Sequence, residues 1–187
     1  MEKRDLHIAI DLDGTVLDWY RFTNKWIENN TEYRIVEPNE YDIKLRFNIS
    51  KEQQDEFNDK IYEEYRTENP VYEGAVKTIK ALAEAGIRLT FATSRDPRES
   101  SNDREFLVKN GLAGIPIRYC DPKTNKILDI ALLHATHLLE DNKDVAMANA
   151  VCGVKVILID CPYNRTAEHD NITRVSGWDD IYKIFLN

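Results

Sequence analysis

Near its N-terminus the chain has an apolar run that turns abruptly acidic, reading Ile8-Ala9-Ile10-Asp11-Leu12-Asp13-Gly14-Thr15. The apolar part is typical of a buried strand in a parallel sheet. Open α/β sheets bind ligands beyond the carboxyl ends of their strands, which is where these acids stand. Alternate side chains of an extended backbone point the same way, so Asp11 and Asp13 can act on one ligand. Gly14 permits a sharp turn and a close approach of the backbone to that ligand.

The acidic turn has two competing interpretations. Asp-Gly is common in type I′ turns, so Asp13-Gly14 could equally join the strands of a hairpin. An EF-hand calcium loop beginning at Asp11 would need glycine at its sixth position and glutamate at its twelfth. Those positions hold Val16 and Phe22, which excludes the calcium loop and leaves the hairpin open.

Apolar runs alternate with helical patterns along much of the chain. Helices are predicted over residues 75–85 and 101–110, over 124–134 and 142–150, and from about residue 179 onward. This alternation predicts an α/β protein with a Rossmann-like parallel sheet flanked by helices. The runs that predict strands are residues 6–10, 87–92, 115–119, 136–139 and 154–159.

The interval over residues 18–71 breaks the alternation, because it has helical patterns and no run typical of a core strand. We therefore expect a core from residues 1–17 and 72–187, with a small helical cap, residues 18–71, inserted into it. Within the cap Trp19, Phe22 and Trp26 share one helical face, and a capping-box pattern, Ser50-Lys51-Glu52-Gln53, precedes Phe57, Ile61 and Tyr65 at helical spacing.

Composition limits the partners that the protein can have. The 187 residues are 42% hydrophobic and 31% charged, the makeup of one globular domain with room for an insertion. A formal charge of −8 argues against long DNA or RNA, whose binding depends largely on clustered lysines and arginines. A small phosphorylated metabolite stays possible, since one metal ion and one or two cations can neutralise a single phosphate.

Three features predict a cytoplasmic protein with no membrane partner. No apolar run approaches the roughly 18 residues of a membrane span. The first apolar run is too short for a signal peptide. Cys120, Cys152 and Cys161 are odd in number and lack metal-ligand spacing, which favours a reducing compartment over a disulfide framework.

Two neighbouring carboxylates can divide the work of phosphoryl transfer. One attacks phosphorus, while the other protonates the leaving oxygen and later takes a proton from water. The sequence from Asp11 to Asp18, Asp-Leu-Asp-Gly-Thr-Val-Leu-Asp, resembles the first motif of the haloacid dehalogenase superfamily of phosphatases. The resemblance implies that Asp11 is the nucleophile and Asp13 the acid/base. It also implies that the Asp11 side chain and the Asp13 backbone carbonyl are ligands of Mg²⁺.

The superfamily's second motif is a strand that ends in a phosphate-binding hydroxyl, and residues 89–95 resemble it by ending in Thr93-Ser94-Arg95. Thr93 is the best match, with Ser94 and free backbone N–H groups beside it for phosphate oxygens. Arg95 could add a charge-assisted contact to the phosphate. A salt bridge of Arg95 within its loop, to Asp96 or Glu99, is the alternative.

The third and fourth motifs are a lysine near a helix start and an acidic pair after a strand. Lys126 is the favoured lysine, which would hold Asp11 and offset negative charge on the phosphate, whereas Lys123 is expected at the surface. Glu140-Asp141 supplies the acidic pair, with Asp141 as a Mg²⁺ ligand and Glu140 as a support. Taken alone, these acids could simply cap a helix.

The layout of the chain is similar to that of the 5′(3′)-deoxyribonucleotidase family. An early cap, Thr93-Ser94, the acidic pair, residues 159–165 and a late Trp178 carry this likeness. It implies Mg²⁺ as cofactor and nucleoside monophosphates as substrates. The sequence departs from the family at Arg95, where proline is expected, and at Glu140, which replaces an aspartate. Cap aromatics that could stack a base are Trp19, Tyr20, Phe22 and Trp26.

Two other functions compete with a nucleotidase. One is a phosphatase for a different small phosphorylated metabolite, such as a sugar phosphate. The other is a non-catalytic binding module, which would lack the nucleophile, the acid/base, the lysine or the metal acid. A candidate for each of these roles is present in the sequence, which favours an enzyme.

Overall fold

The computed structural model describes residues 5–187, apart from the side chain of Glu99. The first four residues of the predicted core lie outside the described residues. Six strands within the described range form one parallel sheet with the order β3-β2-β1-β4-β5-β6. These strands are β1 (His7–Ile10), β2 (Arg88–Thr93), β3 (Ile117–Tyr119), β4 (His137–Glu140), β5 (Lys155–Ile159) and β6 (Ile172–Val175).

Helices connect the successive strands from β1 to β5, and a short 3₁₀ turn lies between β5 and β6, which confirms the predicted Rossmann-like α/β fold. Because β1 pairs in parallel with both β2 and β4, Asp13-Gly14 is not the turn of a hairpin. No helix within residues 5–187 combines the length and the hydropathy that a membrane span requires. The helices are α1 (Trp19–Asn30), α2 (Ile43–Phe47), α3 (Lys51–Glu68), α4 (Ala75–Glu84), α5 (Ser100–Lys109), α6 (Ile127–Leu132), α7 (Lys143–Val151) and α8 (Trp178–Leu186).

Strand β6 is absent from the sequence prediction. Polar Thr173 and Arg174 interrupt its apolar pattern, and only Val175 of its four residues is fully buried. The strand lies at the edge of the sheet and is paired on one side with β5. An edge strand buries fewer side chains than a central one, so its sequence carries a weaker signal.

Two apolar clusters cover the two faces of the sheet. Ile8 and Ile10 belong to the cluster that contains residues of α4 and α8, whereas Ala9 belongs to the cluster that contains residues of α6 and α7. This division follows from the alternation of side chains along β1. The first cluster also contains Trp178, whose indole N–H donates to the Thr15 carbonyl at 3.0 Å and so ties α8 to the loop after β1.

Helices α1, α2 and α3 all lie within residues 18–71 and share a third apolar cluster. The predicted capping box is present at the start of α3. The Gln53 backbone N–H donates to the Ser50 hydroxyl at 3.2 Å, and the Ser50 N–H donates to the Gln53 side chain at 2.8 Å. The division of the chain into a core and a cap at residues 18 and 71 stays a prediction.

The segments that lead into and out of the inserted helices run side by side. Leu17 and Val71 form an antiparallel bridge. On either side of it the Asp18 N–H donates to the Pro70 carbonyl at 2.7 Å, and the Tyr72 N–H donates to the Val16 carbonyl at 2.9 Å. The chain therefore enters and leaves the range 18–71 at neighbouring positions.

Candidate active site

The carboxyl ends of β1, β2 and β4 lie side by side in the middle of the sheet. Ile10 of β1 is in register with Phe91 of β2 and with Leu139 of β4. The Asp11 N–H also donates to the Leu139 carbonyl at 3.0 Å, which fixes Asp11 against β4. The predicted acids of β1 and β4 and the Thr93 hydroxyl of β2 therefore reach one edge of the sheet, where open α/β sheets bind ligands.

Gly14 brings the loop after β1 against Asp141. Its φ is +94°, in the region that favours glycine. A Cβ atom at this position would lie 2.1 Å from the Asp141 Oδ2 atom, a distance that no pair of such atoms can hold. Glycine is therefore needed both for the backbone conformation and for the contact between the first and fourth motifs.

Lys126 reaches Asp11 from the start of α6. Its ammonium donates to Asp11 Oδ1, and to Glu140 Oε2 at 2.9 Å. The Lys126 side chain is buried. The backbones of Asn125 and Lys126 are both left-handed, with φ values of +47° and +60°. The Asn149 side chain of α7 donates to the Asn125 carbonyl at 2.9 Å and holds this left-handed turn. By contrast, Lys123 is exposed.

The acidic pair after β4 is held by hydrogen bonds on several sides. Glu140 Oε1 accepts the backbone N–H groups of Asp141 and Asn142 at 3.2 and 3.0 Å, so both Glu140 oxygens are engaged. Asp141 Oδ1 accepts the Thr15 hydroxyl at 3.3 Å, and its Oδ2 accepts the Tyr163 hydroxyl. These donors fix both carboxylates before any ligand arrives.

Asp11, Glu140 and Asp141 form a buried oxygen cluster that suits a hard cation. One oxygen from each acid lies within 4.8 Å of the others. Burial raises the pKa of Asp11 to about 7 against the opposing charge of Lys126. Burial, with repulsion from Glu140 and Asp11, also raises the pKa of Asp141 well above its usual range. Three carboxylates around one ammonium leave positive charge in deficit, which a divalent cation bound by oxygens would correct.

Asp13 does not join that cluster through its side chain. Arg95 binds its carboxylate with two parallel hydrogen bonds, Nε to Oδ2 at 2.7 Å and Nη2 to Oδ1 at 2.5 Å. The Tyr65 hydroxyl of α3 donates to the same Oδ1 at 2.7 Å. Burial alone would raise the pKa of Asp13, but the charge and hydrogen bonds of Arg95 lower it below its usual value.

Arg95 itself is fixed by a second carboxylate. Its Nη1 donates to the buried Asp103 of α5 at 2.5 Å, and Asp103 also accepts the Tyr119 hydroxyl at 2.9 Å. The proposed salt bridge of Arg95 to Asp96 is not formed, because Asp96 pairs with Arg98 instead. The Glu99 side chain lies outside what the structure describes. Arg95 thus joins α5 to the acid/base candidate, a link that the sequence did not reveal.

A cleft of about 810 Å³ opens over these groups. Thr93, Ser94 and Arg95 line it on one side, and Lys126 and Asp141 line it near the sheet. Thr93 is buried and its hydroxyl accepts the Arg95 N–H at 3.2 Å, whereas Ser94 is exposed. The cleft therefore contains all four motifs that the sequence singled out.

Of the four cap aromatics proposed for substrate contact, Trp19 lines the cleft and stacks on Tyr62 at 5.0 Å between ring centroids. The other three are placed elsewhere: Tyr20 against Tyr163, Phe22 against Tyr65, and Trp26 against Phe57 with a hydrogen bond to Glu64. Other lining residues come from the range 18–71 and were not singled out for this role in the sequence: Tyr41, Asp59, Tyr62, Tyr65 and Arg66.

Comparison with known proteins gives one relative of similar length. No family model matches the chain. A curated protein of Clostridium acetobutylicum, named as a nucleotidase, is 27% identical over 186 residues, which cover 96% of this chain and 93% of that protein. Both chains are thus aligned almost from end to end.

Solved structures match over nearly the whole chain at low identity. A candidate phosphatase from Clostridium difficile has a TM-score of 0.64 at 18% identity, covering 96% of this chain and 98% of its own. A hydrolase from Pseudomonas syringae has a TM-score of 0.61 at 16% identity, with coverage of 96% and 97%. A HAD hydrolase from Entamoeba histolytica has a TM-score of 0.55 at 15% identity, with coverage of 97% and 100%. At these identities the likeness is one of fold.

Proposed function

Because the chain has the fold of the haloacid dehalogenase-like hydrolases, we propose that it is a Mg²⁺-dependent phosphatase that forms a phosphoaspartate on Asp11. The observation that carries this proposal is the contact of the buried Lys126 ammonium with the Asp11 carboxylate at the base of the cleft. Buried charges of this kind cost stability unless they are well paired, so their grouping in an open cleft points to chemistry more than to packing.

The first half of the reaction transfers the phosphoryl group to Asp11. A carboxylate oxygen of Asp11 forms a bond to phosphorus as the bond from phosphorus to the ester oxygen breaks. Arg95 lowers the pKa of Asp13 in the ligand-free protein, so this step requires that the negative charge of the bound phosphate raise the pKa of Asp13 and bring a proton to it. Asp13 then gives this proton to the leaving oxygen, and the alcohol departs. Lys126 offsets negative charge on the phosphoryl oxygens, which Thr93 and Ser94 bind through their hydroxyl groups. The charge of Arg95 is taken up by Asp13 and Asp103, so its role in the proposed reaction is to hold Asp13.

The second half releases inorganic phosphate. Water attacks phosphorus and gives a proton to the Asp13 carboxylate, and the bond between Asp11 and phosphorus breaks. Both aspartates return to their starting states. Arg95 and Tyr65 hold the Asp13 carboxylate where it can serve both as acid and as base.

The donors at the base of the cleft fit Mg²⁺, which prefers carboxylate and carbonyl oxygens. The Asp11 and Asp141 side chains and the Asp13 backbone carbonyl are its proposed ligands. Glu140 is proposed as a support that holds the Lys126 ammonium through Oε2 and two backbone N–H groups through Oε1. When bound, Mg²⁺ would act as a Lewis acid toward the phosphoryl oxygens.

We propose a nucleoside monophosphate as substrate, which makes the enzyme a 5′-nucleotidase. The cleft volume of about 810 Å³ falls within the range of small-molecule sites. The rings of Trp19 and Tyr62 give one wall an aromatic surface that a base could contact. The curated relative named as a nucleotidase is aligned with 96% of this chain, which also favours this substrate class.

Phosphate release from a panel of metabolites tests the proposal. Purified protein with Mg²⁺ should hydrolyse a deoxynucleotide such as dUMP or dTMP, and a chelator should stop the reaction. Asp11→Asn should abolish turnover, whereas Asp170→Asn, at an exposed aspartate outside the cleft lining, should leave it unchanged. Activity that survives Asp11→Asn contradicts the nucleophile. If the protein hydrolyses sugar phosphates and no nucleotide, the proposed substrate class is wrong and the phosphatase assignment stands. If it releases phosphate from no compound, the result favours a non-catalytic binding module.

Two further assignments belong to this proposal. Residues 18–71 serve as a cap that closes over the substrate and excludes water from the reacting groups. The proposed compartment is the cytoplasm, because the three cysteines are free, as is usual for proteins of a reducing compartment.

A further inference from the structure

Tyr163 lies behind the metal-binding acid, outside the cleft lining. It belongs to a short 3₁₀ turn, Pro162–Asn164, that follows β5. Its hydroxyl donates to Asp141 Oδ2, and both side chains are almost fully buried, with 4% and 2% of their surface exposed. A phenol in this place contacts neither substrate nor the reacting atoms, so any role in the reaction must act through Asp141.

The Tyr163 ring is held by two tyrosines of the inserted segment. Its centroid lies 5.3 Å from that of Tyr20 and 5.2 Å from that of Tyr41. Tyr20 is fixed in turn, because its hydroxyl donates to the Pro38 carbonyl at 2.7 Å and the guanidinium of Arg46 lies 4.5 Å from its ring centroid. Residues 18–71 therefore pack against a side chain that is hydrogen-bonded to Asp141.

The backbone around Tyr163 is anchored to the same acid. The Asn164 side chain donates to the Asp141 and Ile159 carbonyls, each at 2.7 Å. Arg174 of β6 donates to Asn164 Oδ1 at 2.6 Å and so fixes the orientation of that amide. With its backbone tied down and its ring enclosed, the Tyr163 hydroxyl has little freedom to leave Asp141.

We propose that Tyr163 is a positioning residue for Mg²⁺ binding, and that through it the inserted segment raises the affinity of the site although it supplies no ligand. This inference rests on the proposed function, because it takes Asp141 as a metal ligand. Hydrogen bonds to a ligating carboxylate orient it, and losing one commonly weakens metal binding by roughly 10–100-fold. Tyr20 and Tyr41 contribute by keeping the Tyr163 hydroxyl in line with Asp141.

Calorimetric titration of metal-free protein with Mg²⁺, without substrate, tests this role separately from turnover. Tyr163→Phe keeps the ring and removes the hydroxyl, so Mg²⁺ affinity should fall about tenfold. Tyr41→Leu removes one ring neighbour at a half-exposed position and should give a smaller fall. Tyr182→Phe, at an exposed tyrosine of α8, is the matched control and should bind as the unaltered protein does.

The double variant that combines Tyr163→Phe with Tyr41→Leu tests whether Tyr41 acts through Tyr163. If it does, the double variant binds Mg²⁺ no more weakly than Tyr163→Phe alone, because the hydroxyl that Tyr41 positions is already gone. Additive losses overturn the link to the inserted segment. Circular dichroism and thermal unfolding without Mg²⁺ verify that each variant is folded.

Failure of this inference differs from failure of the proposed function. If Tyr163→Phe binds Mg²⁺ as tightly as the unaltered protein, while that protein hydrolyses phosphate esters, the positioning role is wrong and the function stands. If the unaltered protein binds no Mg²⁺, or if Asp141→Asn binds it equally well, the inference is overturned together with the metal assignment.

Discussion

Gly14 and Lys126 both have left-handed backbones, for different reasons. At Gly14 the conformation suits the residue, and the absent Cβ leaves room for Asp141. Lys126 carries a full side chain in the same region, which costs about 1–2 kcal/mol. Its ion pairs with Asp11 and Glu140, and the hydrogen bond from Asn149 to Asn125, hold it there. This conformation directs the ammonium at Asp11 from the residue that precedes α6.

Gly14→Ala tests the close contact with Asp141. The new methyl group would meet the carboxylate at 2.1 Å, so either the loop or Asp141 must move. We expect the free energy of unfolding to fall by about 3 kcal/mol or more, from backbone strain and overpacking together. Phosphatase activity should be lost as well.

Gly153→Ala is the matched control, because Gly153 has a similar φ of +89° and nothing within 4 Å of a Cβ atom. Its cost should be backbone strain alone, about 1 kcal/mol. Urea unfolding measures both variants. Equal losses at the two positions would show that the contact with Asp141 is not what requires glycine at Gly14.

At the scale of helices and strands, the sequence was most informative where burial is complete. The strands β1, β2, β4 and β5 read as apolar runs because both faces of the sheet are covered. The capping box of α3 was predictable because it depends on residues three apart. Strand β6 was missed because an edge strand needs no continuous apolar run.

Long-range contacts explain what the sequence could not give for the site. The motif residues lie at the ends of strands or, for Lys126, at the start of a helix, so their positions could be inferred from local pattern. The sequence singled out Tyr65 only for its helical spacing with Phe57 and Ile61, whereas its hydrogen bond to Asp13 spans 52 positions of sequence. Tyr163 and Asp103 likewise reach the site through pairings that no local pattern encodes.

Helix α5 should influence catalysis through Asp103. Asp103→Asn removes the charge that fixes Arg95 from one side and keeps the shape of the side chain. We expect kcat/KM to fall about tenfold, because charge-assisted hydrogen bonds contribute about twice as much as neutral ones. Glu105→Gln, at an exposed position of the same helix, should leave kinetics unchanged. An Asp103→Asn enzyme with normal kcat/KM would mean that Arg95 needs no anchor on α5.

For the molecule as a whole, the buried acids link stability to pH. The pKa of Asp11 is about 7 in the folded protein and near 3.8 when unfolded. The folded, metal-free protein therefore holds a proton more tightly, and this contribution to stability is lost as pH rises through about 7. Asp141 shifts in the same direction. Asp13 has the opposite effect on stability, because its pKa is lowered in the folded protein. Its contribution is present when the pH is above the ordinary pKa of an aspartate and is lost as the pH falls below the lowered value.

Mg²⁺ should stabilise the protein more at high pH than at low pH. The ion needs ionised carboxylates, so protons compete with it for Asp11 and Asp141. The rise in Tm on adding Mg²⁺ should be larger at about pH 8 than at about pH 5, and comparison with and without the ion cancels the titration of other groups. Asp141→Asn should show little rise at either pH. An equal rise at both pH values would place the bound ion away from these acids.

The bridge between Leu17 and Val71 allows the segment between them to be exchanged as a unit. Because its two ends lie at neighbouring positions, a longer, shorter or unrelated segment could replace it without a change in the order or pairing of the strands. The residues with which this segment lines the cleft could therefore change in evolution, while those at the carboxyl ends of the strands stay the same.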